Sequence, residues 1–177
     1  MNVRRIGSRS LFLVLALVVS TGLATGPASA GETPATQENG HARVLGPDGY
    51  KSLKLGMSEQ DAVATGLLTG GENHGECSYY HFVPGEGTMP RSSGIFISET
   101  DGVYVIGGTS KMRTPELIRR GHSFQRLLAA YPYLEQDSVF DFLYTTPVPG
   151  NPEAGYRFVV HGGEVQDFAL ELLGKGC

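Results

Sequence analysis

Two segments of the chain, residues 53–66 and residues 118–131, are weak copies of one pattern and begin 65 residues apart. Their sequences are LKLGMSEQDAVATG and IRRGHSFQRLLAAY, and in each a glycine precedes a serine by two positions. The serines, Ser58 and Ser123, are typical helix N-caps, because a serine hydroxyl accepts a hydrogen bond from a free backbone N–H of the first turn. The repeat therefore predicts one short amphipathic helix in each half of the chain.

Segments with strand character follow both predicted helices, and turn sequences such as Thr100-Asp101-Gly102 and Gly162-Gly163 separate them. The predicted strands are residues 79–83, 94–98 and 103–106 in the first half and residues 139–144, 156–160 and 165–172 in the second. We therefore expect an α+β fold. Two tandem helix-plus-antiparallel-meander units, residues 48–113 and 114–177, should form one continuous sheet with helices on one face. A single domain whose internal similarity is coincidental is the alternative.

The N-terminus has the features of an export signal. Residues 1–30 carry three arginines and no acidic residue, with an apolar run at residues 11–19 and Ala-Ser-Ala at residues 28–30. We predict cleavage after Ala30, with an uncleaved anchor as the alternative. Residues 31–47 are poor in large apolar side chains and are predicted to be a disordered leader. No segment reaches the length of about 20 apolar residues that a membrane span needs, so a secreted protein is expected.

Removing the predicted signal makes the chain more acidic. The whole sequence has 14 Lys and Arg against 18 Asp and Glu, and the signal contains three of the basic residues, which leaves a net charge of −7. Such a surface repels the phosphates of nucleic acids and of anionic membranes. Nucleic acid is therefore not an expected partner. An acidic surface is also common in secreted proteins for solubility alone.

Cys77 and Cys177 are the two cysteines, and both follow the predicted signal. Because disulfides persist outside the cytoplasm, we predict that these two are paired. A catalytic cysteine needs a neighbouring base, and a structural bond is the simpler interpretation of two cysteines 100 residues apart.

Alternation along the predicted strands indicates which side chains face the helices. The expected core positions are Ile95, Ile97, Val103, Val105, Tyr156, Phe158, Val160, Phe168, Leu170 and Leu172. The side chains expected on the opposite face are Tyr79, His81, Phe96, Tyr104, Asp141, Arg157, His161, Asp167 and Glu171. Aromatic residues beside charged residues suit a protein-binding surface. A merely solvated sheet, with Arg157 and Asp167 as a cross-strand pair, has the same pattern.

The two helix starts, LGMSEQDA and RGHSFQRL, each followed by a meander, resemble the tandem units of the β-lactamase inhibitory protein family and, more distantly, small envelope proteins of the SmpA/OmlA type. The second copy has His122 where that motif has methionine. The resemblance implies helices on one side of a curved sheet whose other side binds a protein. The Ala- and Gly-rich composition is similar to that of uncharacterised secreted actinobacterial proteins.

Enzyme motifs do not emerge from the sequence. Gly121-His122-Ser123 lacks the second glycine of a nucleophile elbow, and the five histidines have no paired metal-ligand spacing. We therefore expect no catalytic residue, metal site or cofactor, and a non-enzymatic, inhibitor-like module that binds a protein. The alternatives are an envelope-associated accessory or structural protein, and a hydrolase that uses His81 or His161 with a neighbouring carboxylate.

Overall fold

The computed structural model describes residues 43–91 and 93–177 of the chain. These residues belong to one compact unit, Gln37–Cys177. The predicted export signal and most of the predicted leader lie outside the described residues. Along the described part, no helix is long and apolar enough to cross a membrane.

The described chain consists mainly of strands, with two short α-helices. Helix α1 is Glu59–Ala64 and helix α2 is Phe124–Ala130, and a 3-10 turn lies at Pro84–Glu86. The strands are β1 (Gly49–Tyr50), β2 (Leu53–Lys54), β3 (Leu68–His74), β4 (Cys77–Phe82), β5 (Ile95–Ser98), β6 (Gly102–Gly107), β7 (Glu135–Gln136), β8 (Leu143–Val148), β9 (Asn151–His161) and β10 (Glu164–Leu172).

Strands β3 to β10 form one antiparallel sheet of eight strands, and β1 pairs with β2 in a separate small sheet. The order across the large sheet is β3-β4-β5-β6-β10-β9-β8-β7. The chain therefore crosses from one edge to the centre in β3–β6, and from the opposite edge back to the centre in β7–β10. The fold is of the α+β class and is dominated by this antiparallel sheet, as the alternating apolar pattern predicted.

The two glycine–serine segments adopt the same local geometry. Gly56 and Gly121 have φ values of 76° and 81°, which glycine adopts without strain because it has no Cβ. The hydroxyls of Ser58 and Ser123 each accept a hydrogen bond from the backbone N–H three residues ahead, at 3.2 and 3.3 Å. Both serines are therefore the helix N-caps that the sequence predicted.

Each of these turns is also hydrogen-bonded to a central strand of the sheet. Val103 in β6 exchanges two backbone hydrogen bonds of 2.8 Å with the Gly56–Met57 turn. Val165 in β10 exchanges backbone hydrogen bonds of 2.8 and 2.9 Å with the Gly121–His122 turn. Because β6 and β10 are neighbours, both helices begin near the middle of the sheet.

A buried apolar cluster joins the helices to one face of the sheet. Ala62 of α1 and Leu127 of α2, which occupy equivalent positions in the two segments, are fully buried. Val63 and Leu128, beside them in the sequence, are each 45% exposed. A helix of six or seven residues presents only a narrow apolar stripe. The sheet side chains in the cluster include Ile95, Ile97, Val103, Ile106, Tyr156, Phe158, Val160, Phe168 and Leu170.

The edge strands β3 and β7 were not among the predicted strands. Strand β3 contains Gly70-Gly71-Glu72-Asn73 and is exposed along most of its length, and β7 has two exposed residues. An edge strand that packs against nothing needs no apolar alternation. The pattern that identified the central strands was therefore absent from these two.

The predicted strand at residues 139–144 is wrong in its first part, because β8 begins at Leu143. The Asp137 carboxylate accepts the backbone N–H groups of Val139 and Phe140 at 2.8 and 2.9 Å. These bonds hold residues 137–142 in a loop, a turn type that aspartate favours. The alternating apolar residues of this segment therefore belong to a loop.

The packed chain begins before residue 48. Leu45 is fully buried, its carbonyl accepts a hydrogen bond of 2.7 Å from the Tyr156 hydroxyl, and Val44 pairs with Arg113 in a parallel bridge. These residues lie in the segment 31–47 that the sequence assigned to the leader. A single leucine in a polar segment has no periodicity that could identify it as a core residue.

Candidate functional site

The candidate site is the sheet face opposite the helices, which we call the open face. The strand register places Tyr79 opposite Phe96, Phe96 opposite Val105, and Val105 opposite Glu171. Glu171 alternates with Leu170, which is fully buried in the core, so these side chains share the face away from the helices. Val105 is buried, as expected, with 8% of its surface exposed, but it lies on this face and not in the apolar cluster under the helices.

An irregularity in the β5–β6 pairing explains the position of Val105. Ile97 pairs with Val103, whereas Phe96 pairs with Val105, so Tyr104 is an extra residue in β6. A bulge of this kind shifts the side chains beyond it by one position. Leu172, also expected in the core, lies at the end of β10 and is only half-buried.

Four aromatic side chains form a continuous row across β4, β5 and β6. The ring centroids of His81 and Tyr79 are 4.8 Å apart, those of Tyr79 and Phe96 are 5.0 Å apart, and those of Phe96 and Tyr104 are 6.1 Å apart. All four rings are partly exposed. We call these residues the aromatic row. Its members are four of the nine open-face residues predicted from the sequence, and the structure brings them into contact.

Two residues just before β5, Ser93 and Gly94, hold Tyr79 in place. Its ring covers Gly94, where an added Cβ would lie 2.1 Å from a ring carbon, and its hydroxyl donates a hydrogen bond of 2.9 Å to the Ser93 carbonyl. Burial raises the pKa of the Tyr79 phenol, and the charge of Glu72 raises it further. The phenol is therefore neutral at ordinary pH and acts as a hydrogen-bond donor.

The C-terminus borders the other end of the aromatic row. Cys77 and Cys177 lie at disulfide distance, with Cα atoms 5.9 Å apart, as the sequence predicted. The Tyr104 hydroxyl lies 3.6 Å from the Cys177 sulfur and 3.9 Å from the Cys77 sulfur. Lys175 forms an ion pair of 2.9 Å with Asp101. The last residues of the chain therefore lie beside the row.

The charged part of the open face is on β9 and β10. Arg157 donates a hydrogen bond of 2.8 Å from Nε to Glu171, whereas the solvated-sheet alternative paired it with Asp167. Arg157 lies directly opposite Ala169, so Asp167 and Glu171 are its two diagonal neighbours. The register therefore allows both partners, and the side chain is bonded to Glu171.

Asp167 is on this face but is buried, with 7% of its surface exposed. The β4–β5 connection covers this part of the sheet, because a Cβ added at Gly107 would lie 2.3 Å from the Ser93 hydroxyl and 2.7 Å from the Met89 side chain. Burial raises the pKa of Asp167, against the opposing effects of a hydrogen bond from Ser93 and the charge of Arg157. The Asp167 Oδ1 atom has no hydrogen-bond partner among the described residues.

His161 and Asp141, also predicted for the open face, lie apart from the aromatic row. His161 is exposed at the end of β9, opposite Glu164. Asp141 is exposed in the 137–142 loop and is not part of a strand. Asp141 was placed on the face because the sequence pattern does not show where β8 begins. His161 is the last residue of β9 and alternates with the buried Val160, so it is on the expected side of the sheet.

The same loop carries an apolar group that the sequence reasoning missed. Val139, Phe140 and Phe142 are 76%, 52% and 43% exposed, and the two phenylalanine rings are 5.6 Å apart. The sequence feature that could have identified this loop is Asp137, because an aspartate carboxylate commonly accepts backbone N–H groups at the start of a turn. The rings extend from the β7–β8 edge into solvent.

The hydrolase alternative requires a histidine beside a carboxylate. In the part of the chain that the structure describes, the one histidine–carboxylate pair joins His74 and Glu72, 3.5 Å apart and both exposed. His81 instead contacts the edge of Tyr79. The described residues also contain no group of three or more His, Cys, Asp or Glu side chains close enough to hold a metal ion.

Comparisons with protein-family models, with curated proteins and with solved structures give no significant match for this chain. The family resemblance expected from the two glycine–serine segments therefore stays a prediction.

Proposed function

We propose that this protein is a secreted, non-enzymatic module that binds another protein through its open face. The observation that supports the proposal most directly is the aromatic row, four rings in contact and partly exposed on the surface of one sheet. Tyr and Phe are enriched at protein interfaces because they bury large areas at low entropic cost. A solvated sheet face needs no such row.

The ion pair of Arg157 and Glu171 adds charged groups to the open face beside the aromatic row. Arg157 and Glu171 retain 28% and 23% of their side-chain exposure, so both are available to a partner at the border of the aromatic row. Charged groups at the border of an apolar patch orient a partner more than they add affinity. The expected partner surface is therefore an apolar group surrounded by charged or polar groups.

We further infer that the fold consists of two duplicated units, residues 48–113 and 114–177. Three matched features support this inference: the left-handed glycine, the serine cap three residues before its N–H donor, and the exchange of backbone hydrogen bonds with Val103 or Val165. In this arrangement the units meet at β6 and β10. The first unit supplies the aromatic row and the second supplies Arg157 and Glu171.

The Cys77–Cys177 bond and the predicted export signal support an extracytoplasmic location, because exported proteins retain disulfides. We retain the protein-binding function in preference to the accessory and hydrolase alternatives because the aromatic row is a specific feature of this surface.

The proposal is tested by affinity capture from culture supernatant and envelope extract of the producing organism, with tagged residues 31–177 as bait. The face variant carries His81→Ala and Phe96→Ala, which remove the two rings that contact Tyr79 and leave the Tyr79 and Tyr104 contacts with the backbone and the disulfide intact. The matched control is Tyr133→Ala, because Tyr133 is an aromatic residue that is 80% exposed outside the open face. Thermal unfolding of each variant checks that it is folded.

A partner captured by the wild type and the control, but lost from the folded face variant, would support the proposal. Loss of a central aromatic contact typically costs about 2 kcal/mol, which is about 30-fold in Kd. Equal capture by the face variant would show that the open face is not the binding surface.

A further inference from the structure

Basic side chains are concentrated at one place on this acidic protein. Five of the 14 Lys and Arg residues of the chain line a single open pocket of about 600 Å³. They are Arg43, Lys111, Arg113, Arg119 and Arg126, and His122 lies among them. Among the described residues, no Asp or Glu lines the pocket. Protein surfaces normally intersperse both signs of charge, so this grouping is unusual.

Three parts of the backbone bring these side chains together. The Arg113 N–H donates to the Arg43 carbonyl at 3.1 Å, which places these two residues side by side. The His122 N–H donates to the Arg119 carbonyl at 3.2 Å, and this turn is bonded to Val165 at the start of β10. Ser123 then caps α2, whose first turn carries Arg126. The pocket is therefore built from bonded backbone segments, and it shares no residue with the aromatic row.

No cation of the pocket forms an ion pair with a carboxylate of the described chain, and only at longer range does the charge of Arg43 act on Glu86. The ion pairs among the described residues use Lys51, His74, Arg157 and Lys175, none of which lines the pocket. Lys111 donates to a backbone carbonyl, that of Gly85, at 3.0 Å. Like charges held close together repel each other, and an anion bound between them would remove that repulsion.

His122 is hydrogen-bonded to one of these cations. Its Nε2 atom accepts a hydrogen bond of 3.3 Å from Arg119 Nε, so a neutral ring carries its proton on Nδ1. The Nδ1 atom is buried and has no partner among the described residues. Burial lowers the pKa of His122, and the charges of Arg126 and Arg119 lower it further. The ring is thus a neutral donor that lacks an acceptor.

We propose that this pocket binds an oxyanion with at least two negative charges, of the phosphate or sulfate class. Guanidinium groups form paired hydrogen bonds with the oxygens of such anions. The inference does not depend on the function proposed for the open face. The net negative charge of the protein does not oppose it, because screening limits the effect of distant charges to about 10 Å.

The test is calorimetric titration of the predicted exported form, residues 31–177, with inorganic pyrophosphate at an ionic strength of about 0.1 M and neutral pH. Saturable binding of one pyrophosphate per chain is expected. The variant Arg113→Gln with Arg126→Gln should raise Kd by about tenfold or more, because each lost charge-assisted hydrogen bond is a strong one. Arg91→Gln is the matched control, since Arg91 is exposed and outside the pocket.

A second titration with linear polyphosphate identifies the source of the anion. Equal affinity per phosphate group would assign the pocket to small anions, and tighter binding would assign it to an anionic polymer. Both results support the site, provided that the variant Arg113→Gln with Arg126→Gln binds the anion more weakly than the wild type. The proposal is overturned if pyrophosphate shows no saturable binding, or if the pocket variant and Arg91→Gln change Kd equally.

Discussion

Removing the bond between Cys77 and Cys177 should destabilise the protein without changing its native sheet. The two residues are separated by 100 positions, and a cross-link of that length restricts the unfolded chain by about 4.7 kcal/mol in the chain-entropy model. Neither sulfur belongs to the buried apolar cluster, so the variant Cys77→Ala with Cys177→Ala should keep the native core. Its free energy of unfolding should fall by an amount close to, and at most, that value.

The native contacts of the C-terminus add little to this figure. Lys175 pairs with Asp101 at a site where the lysine side chain is 51% exposed, and an exposed ion pair contributes little to stability because water screens it. Lys175→Ala is therefore the control, since it removes the ion pair and keeps the disulfide. The difference between the two variants isolates the effect of the cross-link.

The assay is urea unfolding followed by far-ultraviolet circular dichroism, without reductant. With a slope of about 2 kcal/mol per molar urea, the midpoint of the double cysteine variant should fall by about 2 M, and that of Lys175→Ala should change far less. An unchanged midpoint in the cysteine variant would refute the entropic reasoning. Loss of the native spectrum would show that the C-terminus is needed for the core.

Three further perturbations follow from individual contacts. Tyr156→Phe removes the donor to a buried backbone carbonyl and should lower the free energy of unfolding by about 1–3 kcal/mol in urea titrations. Gly94→Ala places a methyl group against the Tyr79 ring and should lower thermal stability by the equivalent of about 1–3 kcal/mol, with weaker capture of the open-face partner. The substitution Asp167→Asn should raise the free energy of unfolding, relative to wild type, more at neutral pH than at about pH 3. Burial raises the pKa of Asp167 above its unfolded value, so its contribution to stability is present at low pH and is lost as pH rises through the folded pKa.

Each of these expectations has a contradicting result. Wild-type stability in Tyr156→Phe would mean that the carbonyl finds another donor. Unchanged stability in Gly94→Ala would mean that the Tyr79 ring moves without cost. For Asp167→Asn, a stability difference from wild type that is the same at both pH values would show that the carboxyl group titrates with the same pKa in the folded and unfolded chain.

Local features of the fold were predictable because short stretches of sequence encode them. Ser58 and Ser123 cap helices through a bond that spans three residues, and the central strands carry alternating apolar side chains. The aromatic row followed from the same alternation. The edge strand β3 and the 137–142 loop were not predictable in this way, since one is polar although it is a strand and the other alternates although it is a loop.

The basic pocket shows the limit of reasoning from total charge. Lys111, Arg113, Arg119 and Arg126 are close in the sequence, and that local concentration could have been noticed. The contribution of Arg43 could not, because it depends on the pairing of Val44 with Arg113. The net charge of the chain describes the average surface and contains no information about where the basic residues meet.

The sequence by itself determined the helix starts, the antiparallel character of the sheet, the pairing of the two cysteines and the identity of the rings that form the aromatic row. Only the tertiary structure decided that Arg157 binds Glu171, that Asp167 is buried beside Ser93, and that the Leu45 carbonyl accepts its bond from Tyr156, 111 residues away. The physical reason is the range of each interaction. Caps and alternation act within a few residues, whereas burial and charge pairing depend on segments that meet only after the chain has folded.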